Sequence, residues 1–113
     1  MKLTTSDHRD VTVIHLQGNM MGGPDATLLN TKLHELVEAG KKQIIIDLHG
    51  VEFVNSSGLG LLIGGVSALK AAGGMLKLAR ASEKITALIK ITKLSALFES
   101  YPSVEAAVKS VKK

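Results

Sequence analysis

The run Gln43-Ile44-Ile45-Ile46-Asp47-Leu48 constrains the fold more than any other stretch of the chain. Its apolar residues are consecutive rather than alternating, so neither face of a strand built from them is left for water. A strand covered on both sides belongs to a parallel sheet flanked by helices. The neighbouring segments fit that frame. Val11-Thr12-Val13-Ile14-His15-Leu16, bounded by Asp10 and Gly18, reads as a second strand, and the stretch around Leu3 to Thr5 as an edge strand that pairs with it. Met75-Leu76-Lys77-Leu78-Ala79 reads as a third central strand.

Between the strands the apolar period changes to that of helices. Pro24 suits a first turn, Ala26, Leu29, Leu33, Leu36 and Val37 form one stripe, and Gly40 marks a stop. Leu62, Val66 and Leu69 mark a second helix that ends at Gly73-Gly74. Ser82 is placed to cap a third, with Ile85, Leu88 and Ile89 inside, and Ser103 a fourth, with Val104, Ala107, Val108 and Val111 at i, i+3, i+4 and i+7. A short element is expected around Leu97-Phe98. The pattern predicts an α/β fold: a mixed, mostly parallel sheet with about four helices, forming a single domain over 1–113.

Several function classes fall away on composition. The chain has no cysteine, which removes disulfides and thiolate metal sites and fits a cytoplasmic setting. No apolar run reaches the roughly 20 residues of a membrane-spanning helix, and the first residues lack a signal peptide's apolar stretch, so no membrane partner is expected. The net charge of +4 is spread over scattered lysines, and one Tyr with two Phe offers few stacking platforms, so no direct nucleic-acid partner is expected either. His8, His15, His34 and His49 have no metal-site spacing; His15 reads as half-buried, His34 as solvent-facing, and Asp7, His8 and Asp10 as a turn. Asp47 reads as a strand-end carboxylate that caps nearby N–H groups. No metal or cofactor is expected.

In open α/β sheets, sites gather at the carboxyl ends of the strands. The segment there runs from Asp47 through Phe53, Val54 and Asn55 into Ser56, Ser57, Gly58, Leu59 and Gly60, taking the chain from a buried strand to two serines that open a helix. Helix N-termini carry unpaired N–H groups and a positive dipole end, so a serine oxygen can cap there and a phosphate is accepted more readily still. Position and chemistry alone favour the cap.

The pattern Asp47-Leu48-x-Gly50-Val51-x-Phe53-Val54-x-Ser56-Ser57-Gly58-Leu59-Gly60 resembles the signature of the STAS domain of bacterial anti-sigma-factor antagonists. Gly73 to Leu78 resembles the family's next strand, and the region from Ile89 through Thr92, Leu94, Leu97, Phe98, Tyr101 and Ser103 to Ala107 its C-terminal part. The resemblance implies a STAS-like fold and a protein that is not an enzyme. Unphosphorylated, it would bind an anti-sigma factor serine kinase, which then releases its sigma factor. The kinase would end that binding by phosphorylating the first serine of the pair, here Ser56, and a phosphatase would restore it. A monomer in isolation is implied. Asn55, Ser57, Gly58, Leu59, Met20 and Met21 are the expected partner-binding residues.

Two departures stand out. Asn55 occupies a position where such antagonists commonly carry Asp, and the Asn19-Met20-Met21 loop lacks the family's frequent Gly-Glu-Leu-Asp acids. Met20 and Met21, if exposed, would supply an adaptable apolar contact instead; packing inward is the alternative. Two other functions remain at this point: a phosphorylation-independent STAS scaffold with Ser56 only a cap, and a small nucleotide-binding domain using Gly58-x-Gly60-x-x-x-Gly64, with Lys77 and Arg80 near a phosphate. The glycine spacing departs from the dinucleotide fingerprint and no acidic ribose partner follows the next strand; the glycines read better as allowing close helix–sheet packing. The Walker pattern and the Gly-x-Ser-x-Gly elbow are absent.

Overall fold

The structure, a computed structural model, describes residues 1–111. In chain order it contains β1 (Lys2–His8), β2 (Val11–Gln17), α1 (Pro24–Glu38), β3 (Gln43–Gly50), α2 (Ser56–Ala71), β4 (Met75–Ala79), α3 (Glu83–Ile91), β5 (Ser100–Tyr101) and α4 (Val104–Val111). The sheet order follows the chain order, β1 to β5. Only β1 runs antiparallel to its neighbour; β2, β3, β4 and β5 pair in parallel. This is the mixed, mostly parallel α/β arrangement with four helices that the periodicity predicts.

Alternation of side chains explains the isoleucine run. Ile44, Ile46 and Leu48 point to one face, where they pack with Ile14, Leu16, Leu76 and Leu78 beneath α1, α2 and α3. Ile45 points to the other face and joins Val11, Val13 and Ala79 beneath Ala107 and Val108 of α4. Three helices thus cover one face and a single short helix covers part of the other. The serines at 82 and 103 cap as expected, accepting from the N–H of Ile85 at 3.2 Å and of Ala106 at 3.0 Å.

Three expectations need correction. The stretch around Leu97-Phe98 is a turn, with Phe98 buried in the larger core, and regular structure resumes only at Ser100. The edge strand is longer than Leu3 to Thr5 and takes in Asp7 and His8, so only Asp10 of that polar cluster lies in the turn. Gly60 and Gly64 do not bring α2 close to anything, since a Cβ on either meets open space; Gly58 and Gly65 are the close approaches.

Asp47 follows Ile45 on the α4 face, beyond the reach of that helix, and is buried. Its Oδ1 accepts from the N–H of His49 at 3.1 Å and from Arg80 Nε at 2.9 Å; its Oδ2 pairs with His15 Nδ1 at 2.7 Å and accepts from Arg80 Nη2 at 2.5 Å. Burial alone would push this carboxyl up, but the hydrogen bonds from Arg80, His15 and the His49 N–H, with the guanidinium charge, outweigh it and hold the pKa at about 2. The unfolded chain titrates this group near 3.9. The depressed folded value therefore stabilises the fold fully above about pH 4, and that stabilisation disappears as the pH falls toward 2. Allowing for the solvent contact of Arg80, Asp47→Asn is expected to cost on the order of 2 kcal/mol at pH 7 and about a third of that at pH 2.5, as read from urea unfolding of both proteins at the two pH values.

Candidate functional site

Two loops meet at the carboxyl ends of the strands on the three-helix face. The chain leaving β2 and the chain leaving β3 form one further parallel bridge, Met20 with Val54. The N–H of Met20 donates to the Phe53 carbonyl at 2.9 Å, and the N–H of Asn55 donates to the Met20 carbonyl at 3.3 Å. The bridge drives the Met20 side chain into the core, where it is fully buried, and leaves Met21 about half exposed at 48%. Met20 is therefore not a surface contact; only Met21 can be one.

Asn55 closes the junction. Its Oδ1 accepts from the N–H of Gly58 at 2.7 Å, which makes it the N-cap of α2, while its Nδ2 donates to the Met21 carbonyl at 3.2 Å. The capping role foreseen for Ser56 thus belongs to Asn55. Aspartate could cap equally well but has no hydrogen to give the Met21 carbonyl, so the amide at 55 adds a tie to the methionine loop that a carboxylate would lack. Asn55→Asp is expected to keep the helix, lose about 1 kcal/mol of stability and speed amide exchange at Met21 and Gly22, measured by native-state hydrogen exchange.

Ser56 and Ser57 are the first two residues of α2, and both are exposed. Among the described residues the Ser56 hydroxyl has no hydrogen-bond partner, and neither do the backbone N–H groups of Ser56 and Ser57. A free hydroxyl thus stands beside two free donors at the positive end of a 16-residue helix. A phosphate ester on Ser56 is expected to be accommodated by those donors, leaving the thermal midpoint unchanged or raised by a few degrees in a melting experiment.

Gly58 and Leu59, expected at the surface, are buried. A Cβ on Gly58 would run into the Met20 carbonyl oxygen, and one on Gly22 would come within 2.8 Å of the Ser57 Cβ. Both glycines are packing residues that hold the methionine loop against α2. The space that a nucleotide phosphate would need at Gly58 is filled by the protein's own backbone.

Phe53 is the surface residue that the sequence left unassigned. It is 49% exposed, and with Glu52, Val54, Lys84, Ile85 and Leu88 it lines a shallow groove between the β3–α2 loop and α3. Its place just before Val54, whose side chain turns inward in the bridge with Met20, is the signal that would have put it outside. The exposed surface around Ser56 therefore holds Ser57, Met21 and Phe53 rather than the full expected set.

A sequence model of the STAS domain matches residues 2–107. The chain belongs to the STAS domain family. A curated relative, the anti-sigma-B factor antagonist of Bacillus subtilis, is 34% identical over 82% of this chain and 87% of its own length. Among solved structures, an anti-sigma factor antagonist from Mycobacterium paratuberculosis superposes with a TM-score of 0.84 at 25% identity, covering 99% of this chain and 94% of that one. The Bacillus cell fate determinant SpoIIAA, solved in its phosphorylated form, gives 0.75 at 22% identity over 98% and 100% of the two chains. In STAS terms, the signature that begins at Asp47 spans the end of β3, the bridged loop and the opening of α2. Among the described residues no helix is long and apolar enough to cross a membrane.

Proposed function

We propose that this STAS protein is an anti-sigma-factor antagonist whose unphosphorylated form binds an anti-sigma factor serine kinase, so that a sigma factor is released, and whose binding ends when that kinase phosphorylates Ser56. A phosphatase acting on the phosphorylated form restores binding. The carrying observation is the position of Ser56: an exposed, unbonded hydroxyl at the opening of α2, on the same junction as half-exposed Met21 and Phe53. The identity to the Bacillus subtilis antagonist supports the same reading.

Met21 and Phe53 supply the apolar part of the contact and Ser56 its switch. Phosphorylation adds about −1.5 to −2 charges at pH 7. The helix end tolerates that charge in water, but a partner that packs against Phe53 and Met21 would have to strip the water from it, and the attraction within the complex is lost. The fold of the antagonist need not change for the complex to separate.

The test is incubation of the purified protein with an anti-sigma factor kinase of its source and Mg-ATP, with site occupancy read by mass spectrometry. Stoichiometric phosphate on Ser56, absent from a Ser56→Ala variant with an unchanged thermal midpoint, is expected. Phosphate elsewhere at equal yield in that variant would remove Ser56 from the mechanism.

A further inference from the structure

The sheet face on the α4 side is only half covered. Helix α4 packs on Val11, Val13, Ile45 and Ala79, the amino-terminal half of the strands apart from Ala79. Beyond it the carboxyl ends of β2, β3 and β4 and the start of β1 surround a cavity of about 300 Å3, whose walls include Lys2, Thr4, His15, Gln17, His49 and Arg80. It lies across the sheet from α2 and the Ser56 junction, at the end of the strands where open α/β sheets bind ligands.

The hydrogen-bonding inventory of the cavity decides what could fill it. Its one carboxylate, Asp47, is already used at both oxygens by the four contacts from His49 N–H, His15 and Arg80, so it has little acceptor capacity left. Both ring nitrogens of His15 are also engaged, the second by Ser6 Oγ at 2.9 Å. What remains open is on the donor side. Lys2 and the His49 ring have no side-chain partner among the described residues, and Arg80 Nη1 has no acceptor.

Arg80 sits with φ at 57°, in the left-handed region that a non-glycine residue enters at a cost. That turn comes immediately after β4 and its pairing with Asp47 fixes the guanidinium across the cavity wall. A planar donor group held in place, with an ammonium and an imidazole beside it, is the arrangement that recognises a phosphate or carboxylate.

We infer that this cavity is a second binding site, taking a small ligand through a phosphate or carboxylate group held by Lys2, His49 and the outer edge of Arg80. The two anions share the same chemistry toward these donors, and separate titrations distinguish them. The site is independent of the Ser56 switch, so neither result depends on the other.

Amide chemical shifts of the uniformly 15N-labelled protein would be followed during titration with sodium phosphate, with sodium malonate, and with sodium chloride at matched ionic strength. The expected result is a saturable shift with phosphate or malonate, with a dissociation constant in the millimolar range, confined to Thr4, Gln17, His49, Gly50 and Arg80. Whichever anion saturates at the lower concentration names the preferred group. A Lys2→Ala/His49→Gln double variant should weaken that binding at least fivefold and retain the wild-type spectrum elsewhere, since both side chains are exposed. Shifts that grow linearly, that chloride reproduces, or that persist at full strength in the double variant would overturn the assignment.

Discussion

Gly58→Ala is expected to lower stability by about 2–3 kcal/mol and the thermal midpoint by roughly 10 °C, although alanine is the better helix former. The added methyl would meet the Met20 carbonyl oxygen. That oxygen is backbone, fixed by the hydrogen bond from Asn55 and by the Met20–Val54 bridge, so it cannot swing aside as a long side chain would. Either α2 or the methionine loop must move, and the cap at Asn55 is strained in both cases. Gly64→Ala provides the opposite sign within the same helix. There a Cβ meets open space, and the helix should gain about 0.5–1 kcal/mol. Thermal unfolding of the two variants beside the parent reads both effects. Equal behaviour of the two would mean that the packing at Gly58 is not what holds the junction.

Phe53→Ser is expected to weaken binding to the proposed kinase partner about 30-fold and to leave the thermal midpoint nearly unchanged. An exposed aromatic ring that becomes buried on association typically contributes about 2 kcal/mol, and that energy corresponds to a factor of roughly 30 in affinity. The fold loses little because Phe53 stands half outside the core. Met21→Ser should follow in the same direction with a smaller effect, since methionine adapts its contact and spreads it over less rigid surface. The measurement is a titration of each variant against the kinase by calorimetry. A Phe53→Ser variant that binds like the parent would place the interface elsewhere on the protein.

Period and capping chemistry made the architecture legible. The unbroken Ile44-Ile45-Ile46 run announced a strand covered on both faces, and the structure divides its side chains between two cores as that reading requires. Ser82 and Ser103 stood alone before helical stripes, so their caps could be assigned directly. Asn55, Ser56 and Ser57 could not be separated in this way. All three are good capping residues in sequence, and only the extended backbone at Asn55 selects which side chain turns back onto the helix.

Register hid the rest. Whether Met20 or Met21 faces outward depends on a single bridge between two loops, and a shift of one residue would exchange them. The Asp47–Arg80–His15 cluster assembles side chains from three neighbouring segments of the sheet, brought level by the pairing of β2 with β3 and of β3 with β4. In sequence Arg80 is one basic residue among many, and nothing local marks it as the partner of a carboxylate 33 positions away.

The central claim is that one phosphate on Ser56 separates this protein from its kinase without unfolding it. Calorimetric titration of the kinase, loaded with ADP so that no turnover occurs, against the unphosphorylated and the Ser56-phosphorylated protein tests it most directly. A loss of affinity of about 100-fold on phosphorylation, or close to 3 kcal/mol, with unchanged circular dichroism is the predicted result. Equal affinity of the two forms would contradict the switch and leave Ser56 as an ordinary first residue of α2.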